Sequence, residues 1–390
     1  MKQVIKNVIK FVLFGFIDII VIFSRNKRME SKTILLVRLD AIGDYILFRN
    51  FIEAIKEDEK YKDYTITLCG NVVWKELAEY FDGTLISKFI WIDRIKFNKN
   101  IFYRYRRLKK ISSVGYEIAI QPTYSREFFF GDNIIKVANA KEKIGSCGDL
   151  ANITPWQKRI SDQYYIKLIP AKNEIMFEFY RNKEFLETLL SKKIHLTKPE
   201  LKNIPSIKKS ELPQNYAILF ISASSKFRRW NYENFAIVGK YLRKNHGFNI
   251  VICGTDMDYN DGEKITMEIE DAVNLCGKTT ILEIMNIIHT SKIIISNETS
   301  APHIAISCGV KCVVVFNGNH FGRFTPYPKE ITNNYYIAYH PQIKSKLEKY
   351  KKISNGRAYV SKLDINEISP DRVIKEIDKA LSVIYNNKFP

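Results

Sequence analysis

The sequence predicts an α/β protein made of two domains, each with strands and helices in alternation. Its 390 residues exceed the roughly 250–300 residues at which a single hydrophobic core stops growing. Strand and helix patterns alternate over residues 33–121, and the same alternation restarts at Tyr216. Between the two halves, Pro199, Pro205 and Pro213 are typical of an interdomain linker. We therefore expect two α/β halves of similar construction.

The composition indicates a globular and strongly cationic chain. Hydrophobic residues make up 46% of it, and no long low-complexity segment is present, which argues against extended disorder. The formal net charge of +19 predicts a phosphate-rich partner: nucleic acid, an anionic membrane face or a phosphorylated glycolipid. The 6 cysteines are scattered, without the spacing of a zinc site or a disulfide framework, so a reduced, cytoplasmic setting fits.

Residues 1–28 differ from the rest of the chain. An almost wholly apolar run, 11–23, is shorter than the roughly 18–20 residues that a membrane-spanning helix needs. Basic residues flank this run: Lys2, Lys6 and Lys10 before it, and Arg25, Lys27 and Arg28 after it. We predict a helix at the membrane interface. A signal peptide would need a small-residue cleavage site, which is absent here, whereas a core helix of the first domain remains an alternative.

The first half opens with a buried strand, a glycine turn and a helix. The strand is predicted over Thr33–Leu39, and Asp40–Asp44 turns the chain into the helix. This order is typical of nucleotide-binding folds, but the lone Gly43 lacks the G-x-G-x-x-G spacing of a dinucleotide site. Further strands are predicted near 64–69, 86–92 and 117–121, with helices near 72–80, 101–111 and 173–190.

Basic residues cluster on the helix predicted around Tyr103–Lys110. They are Arg104, Arg106, Arg107, Lys109 and Lys110. This face could bind phosphates, but a basic face exposed to solvent is the simpler interpretation, since no base-reading motif accompanies it.

The second half places polar residues after two of its strands. Strands are predicted at 216–221, 249–253 and 272–275, with helices at 232–244, 262–271, 280–289 and 364–385. The loop after the first strand carries Ser224, Ser225 and Arg228, and Asp256 and Asp258 follow the second. Hydroxyl groups and a guanidinium suit a diphosphate, while a carboxylate suits a pair of ribose hydroxyls.

A strand, a turn, a short helix and another strand follow one another at the centre of the second half. The β-branched runs Ile293–Ile295 and Val313–Val315 predict buried parallel strands. Ser300 is expected to cap the intervening helix, whose amino end then favours an anion such as a diphosphate. Glu298 and His303 lie in the same turn, where they either contact the ligand or only satisfy a tight turn.

Three segments resemble those of a known family. Ile34–Asp44 contains Arg-Leu-Asp-Ala-Ile-Gly-Asp, Arg228–Phe235 contains Trp-Asn-Tyr-Glu-Asn-Phe, and Ser296–His303 reads Ser-Asn-Glu-Thr-Ser-Ala-Pro-His. They are similar, in order and rough spacing, to the R-L-x-x-x-G-D, W-P-x-E-x-F and S-N-D-T-G-x-x-H segments of the heptosyltransferase-like glycosyltransferases (family 9). That family attaches sugars in the inner core of bacterial lipopolysaccharide.

The resemblance implies an α/β fold of GT-B architecture: two Rossmann-like domains facing a central cleft, here with an added N-terminal membrane-interfacial helix. The expected divisions are residues 1–30 for that helix, 31–205 for an acceptor domain, 206–345 for a nucleotide-sugar domain and 346–390 for a segment with a closing helix.

The resemblance also implies roles for individual residues. Asp44 matches the family's general base, although a carboxylate that only stabilises a helix amino end is the alternative. Arg38 and Asp40 are expected to bind the acceptor. The expected donor-binding residues are Ser224, Ser225, Arg228, Asp258, Glu298, Thr299, Ser300 and His303. Glu298 stands for the family's usual Asp, Ser300 for its Gly and Asn231 for its Pro, so the donor sugar is expected to be a heptose or a hexose.

The expected function is that of an inverting glycosyltransferase that needs no metal or other cofactor. It would transfer a sugar from a nucleotide-diphosphate sugar to a lipopolysaccharide-core or related glycolipid acceptor at the cytoplasmic face of the inner membrane. A membrane-associated adaptor that keeps the fold without the chemistry is one alternative. A nucleic-acid binder ranks last, because the positive charge is spread along the chain and nucleic acid is not an expected partner.

Overall fold

The computed structural model describes residues 2–25, 28–206, 212–345 and 360–385. These residues form two compact units. The first consists of Met1–Asn173 and Tyr180–His195, and the second of Glu174–Phe179 and Leu196–Pro390. The side chains of Lys2 and Lys6, the residue Lys27, and residues 346–359 and 386–390 of the expected C-terminal segment lie outside the described part of the chain.

The first unit is an α/β sandwich around a parallel sheet. Its strands are β1 (Thr33–Arg38), β2 (Thr65–Asn71), β3 (Lys88–Ile92), β4 (Gly115–Gln121), β5 (Asn139–Ser146) and β6 (Lys167–Ile169). Its helices are α1 (Lys2–Phe23), α2 (Ile42–Ile46), α3 (Asn50–Lys56), α4 (Lys75–Phe81), α5 (Arg94–Lys99), α6 (Ile101–Ser112), α7 (Gly131–Val137), α8 (Pro155–Asp162) and α9 (Glu178–Leu190). Among the described residues the strand order is β3-β2-β1-β4-β5-β6. Leu36 at its centre lies opposite Leu68 and Ile120.

The second unit repeats this plan. Its strands are β7 (Tyr216–Phe220), β8 (Asn249–Cys253), β9 (Val273–Asn274), β10 (Ile293–Asn297), β11 (Lys311–Phe316) and β12 (Tyr335–Tyr339). Its helices are α10 (Tyr232–His246), α11 (Tyr259–Glu268), α12 (Ile281–Thr290), α13 (Ser300–Ser307), α14 (Pro341–Ser345) and α15 (Pro370–Tyr385). In the described part the order is β12-β11-β10-β7-β8-β9, again parallel. The strand order therefore reverses at β1/β4 in one unit and at β7/β10 in the other, as in Rossmann-like folds.

α1 is the helix expected for the N-terminal segment, and one of its faces packs into the first unit, whereas its place at a membrane interface stays a prediction. Phe14, Ile17 and Val21 are buried in the core of the first unit, as a core helix requires. Large apolar side chains remain exposed on the opposite face: Ile9, Val12, Leu13, Phe16, Ile19, Ile20 and Phe23. None of the described helices has both the length and the apolar character needed to cross a membrane.

Three sequence-based expectations about local structure were wrong or incomplete. The helix expected from residue 173 begins at Glu178, whose N–H donates to the carbonyl oxygen of Arg323 at 2.8 Å. Arg104 does not belong to an exposed basic face: it is fully buried, with its guanidinium 3.8 Å from the ring centre of Phe14. β5 was not predicted, because its first half is charged and partly exposed.

Candidate functional site

Polar and charged side chains gather in the second unit where its strand order reverses. β7 and β10 are neighbours, and the loops that follow them carry Ser224, Arg228 and Glu298. The carboxyl ends of parallel strands open into a crevice at such a reversal, and ligands of α/β proteins commonly bind there. The structure thus brings together residues that lie about seventy positions apart in the chain.

Glu298 is held by side chains from two other loops. Its Oε2 lies 3.4 Å from Nη1 of Arg228 and 3.3 Å from Nδ2 of Asn319. Arg228 also donates to the carbonyl oxygen of Glu298 at 3.2 Å and to the hydroxyl of Ser224. Glu298 is buried, whereas the Arg228 side chain keeps 21% of its surface exposed. The site therefore presents a cation outward, with a carboxyl group beneath it.

Burial raises the pKa of Glu298 to about 7, although the charge of Arg228 and the hydrogen bond from Asn319 act in the opposite direction. The protonation of Glu298 therefore changes near neutral pH. When the carboxyl is protonated, the positive charge of Arg228 is available to an anionic ligand. When it is ionised, the two charges offset each other.

The free energy of unfolding of the second unit should fall as the pH rises towards about 7. The pKa of Glu298 is raised from 4.5 to about 7 in the folded chain, so the unfolded chain releases this proton first. The protonated carboxyl of Glu298 therefore contributes its full stabilisation below the unfolded-state pKa of 4.5. This contribution, roughly 3 kcal/mol, is lost as the pH rises through the folded-state pKa of about 7. Glu298→Gln should flatten this slope in urea unfolding experiments at a series of pH values.

Glu233→Gln provides the matched control, since Glu233 is an exposed glutamate at the start of α10 in the same unit. This variant should keep the slope of the parent protein. If Glu298→Gln also kept it, another group would be responsible for the pH dependence.

His303 lies in the first turn of α13 and is buried. Its Nδ1 is 2.7 Å from the hydroxyl of Tyr327, and burial lowers the pKa of His303 to about 4. The imidazole is therefore neutral at physiological pH. It can donate a hydrogen bond to a ligand or accept one from it, but it carries no charge. The positive charge that a diphosphate needs must therefore come from an arginine such as Arg228.

Thr299, and not Ser300, caps α13. The Thr299 backbone is extended, as a cap requires, and its hydroxyl oxygen accepts a hydrogen bond from the Ala301 N–H at 3.2 Å. The expectation that Ser300 caps the helix was therefore wrong. The Ala301 N–H is already bonded to the Thr299 hydroxyl, and Pro302 has no N–H. The N–H of Ser300 is therefore the main donor that the first turn of α13 can offer to a ligand.

Asp258 is the most strongly engaged of the expected donor-binding residues. It is fully buried, its Oδ2 accepts from the N–H and hydroxyl of Thr255 at 2.8 and 2.6 Å, and its Oδ1 binds Arg229. Burial tends to raise the pKa of Asp258, but these hydrogen bonds and the charge of Arg229 lower it overall. The contacts fix the loop after β8, where Asp256 is exposed. Donor binding by Asp258 and Ser225 remains a prediction.

In the first unit, Asp44, Asp40 and Arg38 lie together at the carboxyl end of β1. Asp44 is in the first turn of α2, where its Oδ2 accepts from the Ala41 N–H at 3.2 Å. Asp40 binds Arg38 Nε, 3.1 Å from its Oδ2. Arg38 itself is buried and donates to Asn182 at 2.8 Å. Arg38 therefore orients Asp40, and its direct contact with an acceptor remains a prediction.

Aromatic and polar side chains immobilise this turn. Tyr45, which follows Asp44, donates to Asp82 at 2.5 Å and stacks on Trp74 with 4.7 Å between ring centres. Trp74 Nε1 donates to the carbonyl oxygen of Asp40 at 3.1 Å. The backbone that carries Asp44 is consequently held by the residues that flank α4, Trp74 and Asp82, and by Asn71 at the end of β2.

Sequence analysis did not identify Asn319, Tyr327 or Asn297 as site residues. Asn297 joins β10 to the neighbouring loop, since its Oδ1 accepts from the Trp230 N–H at 3.2 Å. Asn319 lies three residues beyond β11, whose carboxyl end is adjacent to that of β10. This position after a buried strand is a signal that could have revealed Asn319. Tyr327 lies in an irregular loop with no comparable pattern.

Solved structures with the same two-unit plan identify the class of fold. The glycosyl transferase family 9 protein from Veillonella parvula covers 91% of this chain, and this chain covers 98% of it, with 17% identity and a TM-score of 0.68. E. coli heptosyltransferase WaaC with ADP gives 13% identity, coverages of 89% and 99%, and a TM-score of 0.67. E. coli ADP-heptose lps heptosyltransferase II is 15% identical, the match covers 90% of this chain and 99% of that one, and the TM-score is 0.63. The fold is that of a GT-B glycosyltransferase.

The chain belongs to glycosyltransferase family 9 (heptosyltransferase), whose family model matches residues 134–354. A curated relative, lipopolysaccharide heptosyltransferase 2 of Salmonella typhimurium, is 24% identical over 161 residues. That match covers 40% of this chain and 43% of the relative. Within the described residues, no group of three or more His, Cys, Asp or Glu side chains is placed to hold a metal ion.

Proposed function

We propose that this protein transfers a sugar, a heptose or a hexose, from a nucleotide-diphosphate sugar to a lipopolysaccharide-core or related glycolipid acceptor. Family membership supports the general reaction. The observation that carries the proposal is the position of Arg228, partly exposed beside the amino end of α13 at the β7/β10 reversal. A cation and a helix amino end at such a reversal suit a diphosphate.

In this proposal the second unit stabilises the leaving nucleotide. Cleavage of the bond to the anomeric carbon leaves negative charge on the diphosphate and positive charge on the sugar ring, as in glycosidase chemistry. Arg228 and the N–H of Ser300 meet the negative charge, without a metal ion taking this role. Burial favours the protonated form of Glu298 up to a pH of about 7, and in that form the Arg228 charge is available to the diphosphate. His303, as a neutral imidazole held by Tyr327, positions the donor.

The first unit supplies the proton acceptor. Asp44 takes the proton of the acceptor hydroxyl as that oxygen attacks the anomeric carbon from the face opposite the diphosphate. One displacement of this kind inverts the anomeric configuration. Asp40, oriented by Arg38, binds the acceptor. The partially exposed position of Asp44 at a turn fixed by Tyr45 and Trp74 supports this role.

A donor screen tests the proposal most directly. Isothermal titration with ADP-, GDP- and UDP-sugars should show that the sugars of one nucleotide class bind to the protein. That donor should then support transfer to a lipopolysaccharide-core acceptor, and analysis of the product should show an inverted anomeric configuration. The Arg228–Glu298 ion pair also favours a second candidate function, that of a non-catalytic adaptor. In such a protein the carboxylate of Glu298 neutralises Arg228, so that Arg228 does not bind a diphosphate. An adaptor of this kind would bind none of the three.

We further propose that the protein attaches peripherally to the cytoplasmic face of the inner membrane through α1. The apolar residues Ile9, Leu13, Phe16, Ile20 and Phe23 follow one another at helical spacing, and all are exposed. Their apolar area would leave water on insertion at the interface. Because the opposite face of α1 is core, deletion of the helix would test folding as well as attachment.

A triple variant, Leu13→Gln, Ile20→Gln and Phe23→Gln, should lower binding to vesicles of anionic phospholipid by roughly tenfold or more, since each buried side chain contributes about 1.5–3 kcal/mol when fully inserted. Vesicle flotation measures this. A control with Ile237→Gln and Met267→Gln, two exposed apolar residues of the second unit, should bind as the parent does. Equal flotation of both variants would contradict attachment through α1.

A further inference from the structure

A cavity of about 350 Å³ opens between α1, α7 and the loop that precedes α7. Aromatic side chains form much of its wall, with Phe11 and Phe14 from α1 and Phe128 and Phe129 from the loop. It lies within the first unit, and none of its lining residues belongs to the candidate donor or acceptor residues. Its lining continues into the exposed apolar face of α1 through Phe16. A long apolar chain is therefore the kind of ligand that its walls suit.

Gly15 forms part of the cavity wall. It lies in the interior of α1, where glycine is unfavourable relative to alanine. A Cβ added at Gly15 would meet no atom within 4 Å, so packing within the protein does not require glycine here. A small side chain at this position would therefore be tolerated, whereas a large one would extend into the cavity.

The other end of the cavity is polar. Asp18 is buried, and its Oδ2 accepts hydrogen bonds from Asn133 at 2.7 Å and from the ammonium of Lys136 at 2.8 Å. Its Oδ1 accepts none from the described residues. A buried carboxylate oxygen without a donor is unfavourable, and a ligand that donates a hydrogen bond to it would relieve this cost. Lys136 keeps 26% of its side chain exposed.

We propose that this cavity binds one phospholipid whose head group carries a primary ammonium. The phosphate would lie against Lys136, the ammonium would donate to Oδ1 of Asp18, and an acyl chain would pack along the phenylalanine walls. The neighbouring acidic and basic groups, Asp18 and Lys136, complement a zwitterion of this kind better than they complement a purely anionic head group. The proposal rests on the membrane attachment of α1 for its source of lipid.

Native mass spectrometry of the full chain in a non-ionic detergent tests the proposal, with phosphatidylethanolamine and phosphatidylcholine as probes. Phosphatidylcholine has the same phosphate but no N–H to donate. We expect the protein to retain phosphatidylethanolamine roughly tenfold more strongly, as a charge-assisted hydrogen bond predicts. Asp18→Asn, which replaces one acceptor oxygen by a donor, should abolish this preference.

Gly15→Trp should block the cavity and abolish retention of both lipids, while Gly15→Ala should preserve it. This pair tests the site even if Asp18→Asn does not fold. Equal retention of the two lipids by the parent protein, or undiminished retention by Gly15→Trp, would overturn the proposal. The triple glutamine variant should retain lipid in detergent while losing vesicle binding, so failure of this site and failure of membrane attachment are distinguishable.

Discussion

Replacement of Asp44 by Asn should lower turnover by roughly 10²–10⁴-fold, the usual contribution of a general base. The amide keeps the shape of the side chain and can still accept the hydrogen bond that the Ala41 N–H now donates to Asp44. It cannot, however, take the proton of an acceptor hydroxyl. Donor affinity should hardly change, because Asp44 is not among the residues expected to hold the diphosphate. Turnover with a labelled donor and the donor Kd from calorimetry measure the two effects separately.

Asp93→Asn is the matched control for this experiment. Asp93 is also a carboxylate at a helix amino end of the first unit, where its Oδ1 accepts from the Lys96 N–H at 2.9 Å. Turnover of this variant should equal that of the parent. If Asp44→Asn were equally active, Asp44 would serve only the amino end of α2, and the proposed proton transfer would have to be abandoned.

Replacement of Arg228 by Gln should raise the donor Kd by roughly 10- to 100-fold, the range expected for loss of a charge-assisted hydrogen bond to a diphosphate. Turnover should fall further, since the charge on the leaving diphosphate grows as the bond breaks. The pKa of Glu298 should also rise above its present value of about 7, because the charge of Arg228 now lowers it. Calorimetry with the nucleoside diphosphate and with the intact donor would follow the change in affinity.

Arg243→Gln removes an equal charge from the second unit, away from the β7/β10 reversal. Arg243 lies near the end of α10 and binds the exposed carboxylate of Asp271 at 3.0 Å. This control should bind donor as tightly as the parent. An unchanged donor Kd in Arg228→Gln would mean that the diphosphate is held elsewhere, and the proposed position of the donor would then be incorrect.

Most of the sheet framework could be predicted because its strands are locally distinct. The apolar, β-branched runs that became β1, β10 and β11 are buried on both faces, so their sequences differ sharply from the loops around them. β5 and β12 lacked that contrast, since both lie partly exposed in their sheets. α9 begins later than expected, at Glu178, whose N–H and side chain bind Arg323, a partner 145 residues away in sequence that no local pattern reveals.

Short motifs predicted the residues of the candidate site. They did not predict which of those residues bind each other or how their pKa values change. The motifs supplied Arg228, Glu298 and His303 as residues that share a function. They could not show that Arg228 and Glu298 bind each other, or that Tyr327 holds a neutral His303. A pKa depends on burial and on neighbours in space, so it follows from the folded arrangement and not from spacing along the chain.

The sequence by itself determined the class of fold, the family and the identity of the turn residues, because periodicity and short motifs are local properties of the chain. Only the tertiary structure decided how those residues are used. It buried Arg38, Arg104 and Asp258 among partners, raised the pKa of Glu298 to about 7, and gave α1 one core face and one exposed apolar face. The physical reason is that desolvation and charge pairing arise from atoms brought close by folding, many of them far apart in sequence.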